Sequence, residues 1–92
     1  MKERKSEFTR VNVKIFGEDY VVKGTEDPEY IQMLAAYVDR KMQGISQKMP
    51  SLPATKVAVL AALNLADELS KLQEDYDELV KKLEEGKTSR MG

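Results

Sequence analysis

Residues 57–66, reading VAVLAALNLA, place nine apolar side chains in ten consecutive positions. Pro53 and Gly86 are the nearest breakers on either side, so the run sits inside one long helix, expected from a Ser51 cap to Gly86. A helix that is apolar all round must be covered on every side. At 92 residues with 7% aromatic content and no Trp, a single copy has too little core to supply that cover, and self-association is expected. The run is far short of the roughly 20 residues that span a bilayer. The N-terminus leads into no apolar signal segment, and the chain is read as soluble and cytoplasmic, without membrane insertion.

Composition removes several functions. There is no Cys and no His, which excludes disulfides, thiolate nucleophiles and the commonest metal ligand and general base. The expected chain is not an enzyme and has no catalytic, cofactor or metal site. Asp75, Asp77 and Glu78 look like the start of a calcium loop, but Val80 stands where such a loop needs Gly. The formal net charge of -1 gives no surplus for neutralising phosphates, so no nucleic-acid partner is expected.

Upstream of the long helix, Val11, Val13 and Ile15 alternate with polar residues, and the alternation resumes at Tyr20 and Val22. The pattern predicts a β-hairpin with Gly17 and Glu18 as its turn, Ile15 opposite Tyr20, Val13 opposite Val22, and all five apolar residues on one face. Asp27, Pro28 and Glu29 start a first helix that runs to about Met49, with Asp27 as its cap. Its apolar stripe of Ile31, Leu34, Ala35, Val38, Met42, Ile45 and Met49 is the expected cover for the hairpin. Pro50 and Pro53 separate the two helices.

Beyond Ala66 the apolar residues narrow to a heptad row, with Leu69, Tyr76 and Leu83 at a positions and Leu65, Leu72 and Leu79 at d positions. Val80 widens the row, and the charges at the flanking positions leave parallel and antiparallel pairing both open. Residues 1–65 carry ten basic and eight acidic side chains, and residues 66–92 five and eight, so the head is slightly basic and the stalk acidic. The expected organisation is a disordered tail over 1–8, a globular head over 9–65, a coiled-coil stalk over 66–86 and a disordered tail over 87–92. The fold class is α+β, with an N-terminal hairpin on an amphipathic helix and a long C-terminal helix forming an oligomeric coiled coil.

Two sets of residues carry the expected contacts. Val57, Leu60, Ala61, Asn64, Leu65, Leu69, Leu72, Tyr76, Leu79 and Leu83 form the interface between copies. Asn64, the one polar residue of the run, either fixes register there or bonds backbone or water at the helix surface. Arg10, Lys14, Arg40, Lys41 and Lys48 are either ordinary solvated charges or a basic patch offered to an acidic partner.

The hairpin segment VNVKIFG at 11–17, VDRKM at 38–42 and VAVLAALN at 57–64, followed by a charged stalk, resemble the ZapA family of small proteins associated with the bacterial Z-ring. The resemblance covers about residues 9–85. It implies a non-enzymatic regulator that binds the tubulin-like GTPase FtsZ, aligns or cross-links its protofilaments and works at the mid-cell division site. It implies homodimers built on the long helix that can pair through their stalks, with Phe16 and Gly17 as the hairpin turn and Asn64 in the dimer core. Glu18, Pro50 and Thr55 depart from the charges that some relatives carry at these places. Of two other classes, a chorismate-mutase-type helical enzyme would need cations inside a bundle that 57–66 does not offer. A prefoldin-like chaperone would need two coils flanking its hairpin, where this chain has one sustained seam.

Overall fold

The computed structural model describes residues 8–91, with side chains to residue 86. Residues 1–7 of the tail expected over 1–8, and Gly92, lie outside the described residues. Two strands, β1 (Thr9–Ile15) and β2 (Glu18–Gly24), are followed by two helices, α1 (Pro28–Lys48) and α2 (Ala54–Met91), an α+β arrangement.

The strands pair antiparallel, with Val11 opposite Val22, Val13 opposite Tyr20 and Ile15 opposite Glu18. The turn therefore consists of Phe16 and Gly17, one residue earlier than the alternation alone predicts and where the family resemblance puts it. Both turn residues have positive φ, 52° and 79°, the pattern of the two-residue turn that matches strand twist. The pairing slips by two residues as a result. A slip by an even number keeps every side chain on its face, so Val11, Val13, Ile15, Tyr20 and Val22 still share one side. Phe16 is a bulky residue in a conformation that costs it about 1–2 kcal/mol. Its amide N–H donates to Asp39 Oδ1 of α1 at 2.7 Å, which holds the turn in that state.

α1 begins at Pro28, with its free N-terminal amides taken partly by the Asp27 backbone carbonyl, which accepts from Tyr30 and Ile31. The Asp27 carboxylate makes no capping bond, contrary to its expected role. The helix buries Ile31, Ala35, Met42 and Ile45 and half-buries Val38. Leu34 and Met49, expected in the same stripe, are exposed, because the hairpin and α2 cover a narrower arc. α1 also grips the backbone of β1, where Gln32 Nε2 donates to the Asn12 carbonyl at 2.8 Å.

α2 starts at Ala54 rather than at Ser51, because Pro53 pushes Leu52 out of helical geometry. The Pro53 carbonyl accepts from Lys56 and Val57 and opens the helix in place of the expected Ser51 cap. At the other end α2 passes through Gly86 and continues to Met91. Gly86 does not take positive φ, so it does not terminate the helix, and residues 87–91 form helix where a disordered tail is expected.

The chain divides into two compact units, one up to Ala61 and one from Ala62 onward. In the first, Val11, Val13, Ile31 and Ala35 form one buried cluster, and Met42, Ile45, Val57 and Ala61 form a second. Ile15 packs against both and joins them. No described residue of the second unit is buried. Among the described residues, no helix is long and apolar enough to cross a membrane.

Candidate functional site

The residues expected between copies fall into two groups. Val57 is fully buried and Ala61 2% exposed, both against Met42 and Ile45 of the same chain, so they are taken out of the expected interface. The physical reason is that a helix apolar all round has one side available to its own α1, and these two residues lie on it. Leu60 and Leu65 are half-buried and Asn64 is exposed. Leu69, Leu72, Tyr76, Leu79 and Leu83 are 56–66% exposed, an unbroken row down the second unit.

Val59 and Leu63 are also exposed, at 56% and 61%, and belong with the surface awaiting cover. The heptad row passes them over because they lie on a different side of α2 from Leu65 and Leu69. Local pairs add little along the stalk. Lys71 meets Asp67 at 3.1 Å and Gln73 meets Asp77 at 3.2 Å, each four residues apart and solvent-exposed, which is worth a few tenths of a kcal/mol.

The five expected cations do not form one patch. Arg10 and Lys14 stand on the face of β1 opposite Val11 and Val13, and therefore turned away from α1. Lys14 lies 3.6 Å from Asp19, which offsets its charge locally. Arg40, Lys41 and Lys48 lie on the helix that packs against the other side of the hairpin. The Arg40 guanidinium and Lys41 ammonium both approach the Tyr37 ring, at 5.7 and 5.4 Å from its centroid. Each contact is worth about 0.5–1 kcal/mol at an exposed site and holds the two cations near one aromatic ring.

That ring belongs to a feature that the sequence pattern did not single out. Tyr30, Met33, Leu34 and Tyr37 recur at helical spacing and are 41–54% exposed, a second apolar row on α1 beside the buried one. The signal was present as three- and four-residue spacing, but the better-aligned stripe through Ile31 and Ala35 absorbed Leu34 and hid the rest. Asp39 is likewise not singled out by the sequence pattern. It is half-buried and bonded to the hairpin turn.

A largely apolar groove of about 620 Å³ lies between β2 and the first turns of α2, lined by Phe16, Tyr20, Val22, Met42, Thr55 and Ala58 among others. Tyr20 is exposed along it although it stands on the core side of the hairpin. Among the described residues, no three acidic side chains gather in a way that could hold a metal ion.

Comparison with known proteins agrees in fold and in length. The family model described as cell division protein ZapA matches residues 11–91. A cell division protein ZapA from Geobacillus thermodenitrificans (strain NG80-2) is 51% identical over 75 residues, which cover 82% of each chain. Another from Geobacillus kaustophilus (strain HTA426) is 47% identical, over 86% of this chain and 87% of that one. A third, from Bacillus thuringiensis (strain Al Hakam), is 40% identical over 86% and 89%. Among solved structures, a ZapA mutant dimer from Geobacillus stearothermophilus is 45% identical with a TM-score of 0.65, covering 84% of this chain and 90% of that one. A family match over nearly the whole chain, a hairpin followed by two helices, and relatives of the same length lead to one assignment: the chain belongs to the ZapA family of cell division proteins.

Proposed function

We propose that this protein is a non-enzymatic regulator that binds FtsZ and promotes the association of its protofilaments into the Z-ring at mid-cell. It does so as a homodimer, able to pair further, whose heads engage filaments and whose stalks join the copies. The observation that carries the reading is the contrast between a head with its own core and a helix whose apolar row, from Leu69 to Leu83, stands exposed among the described residues. A second copy is the natural cover, since heptad apolar positions bury one another across a seam. The solved relative is itself described as a dimer, which supports the same arrangement here.

The proposed interface consists of Leu60, Asn64, Leu65, Leu69, Leu72, Tyr76, Leu79 and Leu83, together with Val59 and Leu63. Two identical heads make the assembly bivalent. A contact of only micromolar strength then holds two filaments together, because the second binding event occurs at high effective concentration. On the head, Arg40, Lys41 and Lys48 are the cations proposed to meet FtsZ, while Arg10 and Lys14 face the opposite side.

The test is sedimentation of FtsZ polymers formed with GTP, with and without the protein at about 10 µM, a concentration at which micromolar contacts are populated. The expected result is that the protein pellets with FtsZ and that bundles appear in the pellet. Leu72→Glu should abolish bundling while the head still binds. Failure of the wild-type protein to pellet with FtsZ overturns the reading.

A further inference from the structure

On α1, the residues beside the buried stripe form a surface that changes character along its length. The first half presents Tyr30, Met33, Leu34 and Tyr37, all roughly half exposed. The second half presents Arg40, Lys41 and Lys48, and after Asp39 α1 contains no carboxylate at all. Asp39 itself is committed to the Phe16 amide. Between the cations lies Gly44, where an added Cβ would meet nothing within 4 Å. A glycine inside a helix costs about 0.5–1 kcal/mol relative to Ala. At this position it leaves the helix backbone bare and open to close approach.

We propose that this flank of α1 docks an acidic amphipathic segment, with the segment's apolar side chains on the tyrosine-rich half, its carboxylates on the cationic half and its backbone passing closest at Gly44. The proposal rests on the reading that the head binds FtsZ, and assigns the segment to that partner. Charge decides against a second copy of this chain as the occupant. If two such flanks paired in parallel, cation would meet cation. In antiparallel pairing Arg40 and Lys41 would cover Met33 and Leu34 of the other copy, and only Lys48 would come near carboxylates, those at 26–29. An acidic segment satisfies both halves at once, and the Tyr37 ring, already facing two cations, aligns them beside the apolar half.

Three variants test the two halves and the gap separately. Tyr30→Ser with Met33→Ser removes apolar contact. Arg40→Glu with Lys41→Glu reverses charge. Gly44→Gln fills the bare position without a clash in the head. Each is assayed for FtsZ co-sedimentation with GTP at about 50 and about 200 mM salt, a twofold span of Debye length, beside thermal midpoint and oligomer mass. The expected result is about tenfold weaker binding for the serine pair at both salts, equivalent to about 1.4 kcal/mol. The charge-reversed pair should weaken binding most at low salt, and Gly44→Gln should weaken it with an unchanged or raised midpoint. Wild-type binding by the serine pair and by Gly44→Gln overturns the docking site and leaves FtsZ binding by the head intact. A drop in oligomer mass in the serine pair also overturns it, by assigning the flank to a second copy. If the wild-type protein does not pellet with FtsZ, the partner is wrong and both readings fall.

Discussion

The unit up to Ala61 and the unit from Ala62 onward contain similar apolar residues put to opposite uses. In the first, eight side chains from both β1 and both helices are removed from water by one another. In the second, five large apolar side chains stand in a row and none is buried. The first unit therefore has a hydrophobic reason to fold as a single copy. Among the described residues of the second no side chain is buried, and a helix without a packed face draws little stability from tertiary contact. One chain thus combines a domain that stabilises itself with a helix that association stabilises. In the proposed bivalent cross-linker, dissociation of the stalks would remove bundling and leave each head able to bind.

Charging the centre of the head should do the most damage. Val57→Asp puts a carboxylate at a fully buried position with no partner, at a cost of about 3 kcal/mol or more. For a head this small that is most of its stability, and the loss of hairpin and α1 structure should appear in urea titrations followed by Tyr absorption and circular dichroism. A wild-type midpoint would mean that the head has no independent core.

Leu72→Glu is the counterpart in the stalk. Leu72 is 65% exposed, so the single copy loses almost nothing. The interface between copies gains a charge in its seam, and sedimentation equilibrium should report a fall in mass with the head's own urea transition preserved at high dilution. Loss of the head transition in this variant would show that the two units fold as one.

A smaller effect is expected at the bond between the hairpin turn and α1. Asp39→Ala leaves the Phe16 amide without its acceptor and should destabilise the head by about 1–2 kcal/mol, given a part-buried bond to a charged group. Asp39→Asn keeps an acceptor oxygen and should cost less. Amide exchange at Phe16 measures this directly, and it should accelerate far more than exchange in α2.

Legibility in the sequence followed the range of the interactions. The strand faces were readable because alternation is local, and they survived a misplaced turn because the slip was even. The turn itself was not readable from alternation. Phe at positive φ is disfavoured on local grounds, and the carboxylate that compensates is 23 positions away on α1. Family resemblance supplied what local chemistry could not. The heptad row was plain, but the division of 57–66 between intrachain core and outer surface depended on where α1 crosses, which no spacing encodes. The five cations were legible as surface residues, four of them exposed and Lys41 half-buried, yet their distribution over two sides of the head needed the packing of the hairpin on α1. The exposed tyrosine row on α1 was hidden because two apolar stripes overlap in one helix.

The smallest effect gives the cleanest contrast, because the same substitution should act with opposite sign in the two units. Gly17 has φ of 79°, in the left-handed region where a Cβ is strained whatever the space around it. Gly17→Ala should therefore destabilise the head by about 1 kcal/mol, even though nothing lies within 4 Å of the added carbon. Gly86 also has open space around it, but it lies inside α2 with helical φ, where Ala is favoured by about 0.5–1 kcal/mol through reduced freedom of the unfolded chain. Gly86→Ala should raise helicity and strengthen association, since the stalk's helix is stabilised together with its seam. Helicity by circular dichroism and mass by sedimentation, recorded for both variants at one concentration, should move in opposite directions. If Gly86→Ala lowers helicity, the helix ends at Gly86 as the sequence alone suggests, and the stalk is shorter than its backbone indicates.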